Sequence, residues 1–205
     1  MNLKKHFKSK NKPLRILHTD QYVDKIVSDK LISWLPKFPK EYVVVCVGTD
    51  RSTGDALGPL TGTLLSETKP KHMTIYGTLH EPVHATNLYD YLEMINERHH
   101  NPFIIAVDAC LGKSSSVGYI IADKGPLKPG AALNKTLPEL GDIHITGVVN
   151  VSGFMEYSVL QNTRLSIIKD MASSLASILS VIDTQLTYHR SNPAVVIPQF
   201  NQETI

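Results

Sequence analysis

The chain predicts a three-layer α/β/α domain built on a mostly parallel sheet with one antiparallel strand, and three observations carry this. The runs "YVVVCV" (Tyr42 to Val47) and "FIIAV" (Phe103 to Val107) are apolar on both faces, as strands covered from both sides are. Segments of helical period alternate with such runs, the mark of α/β architecture. Only a short loop separates Asp108 from the next strand-like run, "VGYIIAD", too short for a parallel crossover, so that strand should run antiparallel.

Taken in order, Asp20 to Leu35 places Val23, Ile26, Val27, Leu31 and Trp34 near one helical face, with Asp20 as N-cap and "PKFPK" as the stop. The first strand, Tyr42 to Val47, leads through "GTDRSTGDALG" into a helix from about Pro59, a residue that suits a first helical turn. "MTIYGTL" reads as the second strand and "NLYDYLEMINERH" as a helix with Leu88, Leu92 and Ile95 inward. "FIIAVDA" is the third strand, ending at Asp108, and "IHITGVVN" is a further one. A long amphipathic helix then keeps Leu160, Ile167, Ile168, Met171, Leu175, Ile178 and Ile182 in register. The domain is expected over residues 20–188, between a basic flexible tail, 1–19, and a C-terminal tail, 189–205. Right-handed crossovers on both sides of the first strand give the central order second–first–third. The crevice at the switch point then lies beyond the C-terminal ends of the first and third strands, and both strands are followed by acidic loops.

With 205 residues, 42% apolar and 20% charged, the chain has the composition of one ordinary globular domain. A net charge of +2 is too small to argue for nucleic acid or a membrane surface, and neither is expected as a partner. Lys4, Lys5, Lys8, Lys10, Lys12 and Arg15 crowd the N-terminus and read as a solvated tail rather than a nucleic-acid arm. No apolar h-region follows that basic start, and no uninterrupted apolar run approaches the ~20 residues of a membrane span. Cys46 and Cys110 sit in or beside apolar runs and read as buried, inert thiols in a reducing compartment, so a cytoplasmic protein is expected.

The glycine-bearing loop before the second helix could cradle a phosphate, but neither G-x-x-x-x-G-K-[ST] nor G-x-G-x-x-G is present, and Asp50, Asp55 and Asp108 would repel an anion. No cofactor is expected. "HEPVH", His80 to His84, matches H-E-x-x-H, a motif that works only when both histidines share one helical face. His80 ends a strand and Pro82 belongs in a turn or at a helix start, so no zinc site is expected there. Glu81 and His84 can line the crevice or sit in a surface loop. Asp55, beside a helix N-terminus, and Asp108, after an apolar strand, form the sharper pair. Two nearby carboxyls share a proton and activate water, or bind a cation together. Each can equally cap a turn or helix.

Together "GTDRSTGDALGPL", "EPVHATNL", "VDACLG" and "VLQNTRL" closely resemble the sporulation protein YyaC family of spore-forming Firmicutes, over Tyr42 to Ile182. Through "TGDALGP" and "AVDA" that family is distantly similar to the germination protease, which degrades small acid-soluble spore proteins, and to the hydrogenase maturation proteases. The resemblance implies a phosphorylase/hydrolase-like fold and a peptidase-like hydrolase site in which Asp55 and Asp108 are the catalytic aspartates. In the hydrogenase maturation proteases the same two positions help bind nickel with a histidine, but the stretch where that histidine would stand, "KPGAALNKTLPELG", holds none. The site implied is therefore metal-free. Its substrate-binding set is Gly48, Thr49, Asp50, Ser52 and Gly54 of the loop with Glu81 and His84, the glycines allowing close approach of a substrate chain. The expected partner is a protein or peptide, with small acid-soluble spore proteins as candidates, in the cytoplasm of the sporulating cell or spore. A non-catalytic binding or scaffold protein of the spore, keeping the same fold and cleft, is the alternative from another class, and a metal-dependent recogniser is a third.

Overall fold

The computed structural model describes residues 12–36, 40–130 and 137–191. Its elements are β1 (Leu14–Leu17), α1 (Val23–Ile32), β2 (Tyr42–Cys46), α2 (Leu57–Glu67), β3 (Met73–Tyr76), α3 (Leu88–Arg98), β4 (Phe103–Gly112), β5 (Tyr119–Lys124), β6 (Ile143–Val151), α4 (Glu156–Gln161) and α5 (Leu165–Ser191). The apolar runs β2 and β4 lie side by side inside a 6-stranded sheet of order β1-β5-β6-β4-β2-β3. β2 pairs in parallel with β3 and β4, and β4 with β6, while β5 runs antiparallel to both β6 and β1. The predicted central order and the predicted antiparallel strand are both present.

The double-sided apolarity of β2 has a direct cause. Tyr42, Val44 and Cys46 join the core formed with α1, α2 and α5, while Val43 and Val45 join a second core with Leu88 and Ile95 of α3. One face of the sheet thus carries α1, α2 and α5 and the other α3, which makes three layers. Leu165–Leu186 of α5 is long and apolar enough, by length and composition alone, to cross a membrane. Here Ile168, Met171, Leu175, Ile178 and Ile182 are fully buried in the first core, and the helix also carries Asp183, whose carboxylate accepts the backbone N–H groups of Lys71 and His72 at 2.9 and 2.7 Å. That is the pattern of a core helix.

Five expectations are corrected. Residues 14–17, assigned to a flexible tail, form the edge strand β1, because Leu14 and Ile16 pack on the first core and the strand pairs with β5 from Leu14↔Ala122 to Leu17↔Tyr119. Lys4, Lys5, Lys8 and Lys10 lie outside the described residues, as do residues 37–39 of "PKFPK" and the C-terminal tail from residue 192. The helix α5 runs to Ser191, past the boundary expected at 188. The long C-terminal helix is two helices, separated at Asn162–Arg164, where the Asn150 amide of β6 donates to the Val159 carbonyl and the Thr163 hydroxyl. And β4 does not end at Asp108: it continues to Gly112, because β6 goes on pairing with it from Asp108↔Thr146 to Gly112↔Val151. The helix α1 begins at Val23, with Asp20 accepting the Tyr22 N–H at 2.8 Å, and Ile26, expected inward, is 41% exposed.

Candidate active site

The connection from β2 to α2 is folded tightly back on the sheet. Gly48, at φ +147°, sits where an added Cβ would lie 2.0 Å from the Asp55 carbonyl oxygen. Its N–H donates to the Val83 carbonyl at 2.8 Å, and the Thr49 N–H donates to the Asp55 carbonyl at 3.1 Å. A short 3-10 turn, Gly54–Ala56, then carries Asp55 into the start of α2. Gly54 is buried against Leu160 of α4, so α4 fixes the turn from behind.

Asp55 and Asp108 line one cleft of ≈ 500 Å³. The Asp108 Oδ1 accepts the Ala109 N–H at 2.7 Å. Burial pushes the Asp108 carboxyl up to about 8; the Ala109 hydrogen bond pulls the other way, and the negative charge of Asp55 adds to the rise. The shift favours the protonated form of Asp108 near neutral pH.

The remaining expected residues divide. Gly48, Thr49, Ser52 and His84 line the cleft with the aspartates. Asp50 is exposed and outside it, Gly54 is occupied in packing on Leu160, and Glu81 faces a neighbouring groove with Tyr76, Tyr91 and Arg98. These three do not belong to the cleft because the loop turns at Ser52–Asp55 and β3 stops at Tyr76, with Gly77 at φ +92° diverting the chain before the expected strand end. His80 and His84 share no helix, since α3 begins at Leu88 and His80 lies in a loop closed by the Thr78 N–H to Glu81 carbonyl bond, with His84 beyond it. A zinc titration is accordingly expected to give the same isotherm for the native chain and for His80→Ala. A loss of one bound zinc in the variant would show that the motif closes on metal.

The cleft also takes residues that the sequence did not assign to the site: Arg51, Cys110, Thr146 and Tyr157. Cys110 was expected to be buried and inert like Cys46. Cys46 is fully buried, its thiol pushed up to about 12, whereas Cys110 is only part-buried, with its thiol raised by burial and lowered by its bond to Thr146. The signal was present: once "VDACLG" is a single strand, Cys110 stands two residues from Asp108 and so on its face. Tyr157 had no such signal, because its place depends on Met155 at φ 62° turning the chain into α4.

The donor set does not fit nickel. The described residues contain no group of three or more His, Cys, Asp and Glu side chains able to hold a metal. His84 bonds through Nδ1 to the Thr86 hydroxyl at 3.0 Å. Residues 131–136 of the stretch searched for a histidine lie outside the described residues, and their sequence, "AALNKT", has none.

The family described as "Protein of unknown function (DUF1256)" matches residues 15–178. The chain belongs to this family. It is 53% identical over 180 residues to the protein YyaC of Bacillus subtilis (strain 168), covering 87% of this chain and 88% of that one. Among solved structures it resembles a NiFe hydrogenase maturation protease, HycI, from Thermococcus kodakarensis KOD1, at TM-score 0.54 and 18% identity over 78% of this chain and 99% of that one. The hydrogenase 3 maturation protease overlays at TM-score 0.38 and 15% identity over 67% of this chain and 87% of that one, too loosely to carry an argument. The DUF1256 chain thus has a protease-like fold, and at 18% identity the likeness speaks for the fold alone.

A pH-dependent stability is expected from the site itself. The Asp108 pKa is raised above its unfolded value, so between about pH 4 and 8 the folded state binds more protons than the unfolded state, and stability falls as pH rises through that interval. The slope from this one group is at most ~1.4 kcal/mol per pH unit. Asp108→Asn should therefore melt close to the native chain near pH 4 and above it at pH 8, by differential scanning fluorimetry. A constant offset at every pH would place the native carboxyl in water.

Proposed function

We propose that this chain is an aspartate-dependent peptidase of the sporulating cell, similar to the germination protease, acting on a protein substrate in the cytoplasm. One observation carries the reading: a carboxyl held protonated to about 8, with a second carboxylate beside it, in one cleft. Paired groups whose environments separate their proton affinities are what acid–base hydrolysis needs. Asp55 takes a proton from water as the water oxygen attacks the peptide carbonyl. The C–N bond then breaks, and Asp108 gives its proton to the departing nitrogen. Acid and amine are released, and the proton now on Asp55 returns to Asp108 through the pair.

Small acid-soluble spore proteins are the proposed substrates. The purified chain is to be incubated with an acid extract of those proteins from pH 4 to 9 and the products read by mass spectrometry. Defined fragments with a bell-shaped pH profile are expected, falling near pH 8 where the pair loses its second proton. An extract left intact across that range, while the chain remains folded, would return the family's protease-like fold to a binding role.

A further inference from the structure

The strand β2 leaves the sheet early. Its last ladder pair is Cys46↔Val107, closed by the Val47 N–H to Val107 carbonyl bond at 2.7 Å. β4 continues to Gly112, and beyond Val107 its strand partner is β6, on the far side. On the other flank of β2, Val83 makes a parallel bridge to Val47. The lane that β2 would have continued therefore lies between Ala109–Leu111 and His84–Thr86, and these residues, with Gly48 at its foot, line the cleft. A strand edge of this kind presents backbone groups that an extended chain can pair with.

Two further features fit an extended occupant. Successive side chains of a strand point to opposite faces, and the cleft has an apolar wall on each. Leu160, with Tyr157 beside it, belongs to the core that holds α2 and α5, and Leu127 and Leu137 belong to the core that holds α3. On the loop side the Ser52 hydroxyl is buried, lines the cleft and has no hydrogen-bond partner among the described residues. Leaving a buried hydroxyl unpaired is unfavourable, and a substrate backbone group would relieve it. The Ala109 N–H is already taken by Asp108, so pairing on β4 falls to the Ala109 carbonyl, which lies on the same side as that of Val107, and to groups beyond it.

We infer that the cleft receives its protein substrate as an extended strand in the lane vacated by β2, paired to the edge of β4 beyond Asp108, with apolar side chains at alternate positions. The inference rests on the peptidase reading for the purpose of the aspartates at the foot of the lane, but strand capture is measurable without hydrolysis. The probe is a positional-scanning library of acetylated, amidated octapeptides, passed over the immobilised Asp55→Asn variant. Retained peptides should be enriched in apolar residues at every second position. The best binder is then resynthesised with one backbone amide N-methylated at a time. Binding should fall about tenfold or more at alternate positions, the loss of one hydrogen bond with its steric cost, and change little between them. Loss at every position or at none, or a library in which no peptide is retained, would overturn the inference. Peptides that bind with the alternating pattern but survive the native chain would keep the inference and remove the peptidase reading. Peptides that are cut with no alternation would do the reverse.

Discussion

Asparagine in place of either Asp55 or Asp108 is expected to reduce peptide hydrolysis by ~10²–10⁴-fold, the usual contribution of a positioned acid or base, while leaving the fold intact. The amide is nearly isosteric, and the Asp108 side chain keeps an oxygen to accept the Ala109 N–H. The two losses have different origins. Asp108→Asn removes the proton donor. Asp55→Asn removes the proposed base, and with it one of the influences that raise the Asp108 proton affinity; burial, the larger cause, remains. Because the groups act as one unit, the double variant should be little worse than the worse single one. Cleavage rates measured by fragment quantification, beside far-ultraviolet circular dichroism for the fold, check this. Equal cleavage by the native chain and both variants would remove the pair from the chemistry.

Gly58→Ala should destabilise the domain by about 3 kcal/mol or more, although alanine is the better helix former by ~1 kcal/mol. Gly58 is inside α2, and a Cβ there would stand 2.0 Å from the Val47 carbonyl oxygen and 2.8 Å from its carbonyl carbon. Both are backbone atoms of the chain leaving β2, so neither rotates away, and the helix must lift from the sheet. For a chain of this size the melting temperature should fall by roughly 6–12 °C. Activity should fall further than stability alone explains, because the Gly54–Ala56 turn that carries Asp55 moves with the helix. Gly153→Ala is the control: none of the described residues lies within 4 Å of the added Cβ, and a change within about 0.5 kcal/mol is expected. A Gly58→Ala chain as stable as the native one would mean that α2 does not rest on β2 at this contact.

Much of the frame was legible because it follows from local patterns. The double-sided runs at Tyr42 and Phe103 predicted central parallel strands, and the short loop after β4 predicted the antiparallel β5. The edge strand β1 was not legible: "LRIL" is only half covered, alternates weakly and follows a basic stretch, so its strand character comes from pairing with β5. The break between α4 and α5 was hidden for a similar reason. The apolar register runs through it, and it is the Asn150 side chain, from another element, that takes up the Val159 carbonyl. Glu81 read as a crevice residue because β3 was drawn too long, and Cys110 read as inert because β4 was drawn too short.

What the sequence by itself determined is the placement of Asp55 and Asp108 at one end of the sheet. Parallel strands joined by right-handed crossovers leave both C-terminal ends on the same side, whatever the details of packing. Only the tertiary structure decided that the Asp108 carboxyl is pushed toward its protonated form and that, among the described residues, a lane lies open beside it. The first depends on burial, since the apolar groups that line the cleft with Asp108, Val47, Leu127 and Leu160 among them, come from segments far apart in the chain. The second depends on two strands ending at different heights: β2 turns away at Gly48, where the chain must fold back against Asp55, while β4 is carried on to Gly112 by its pairing with β6. A strand's length is set by its neighbours rather than by its own residues, and here that difference in length is what opens the cleft.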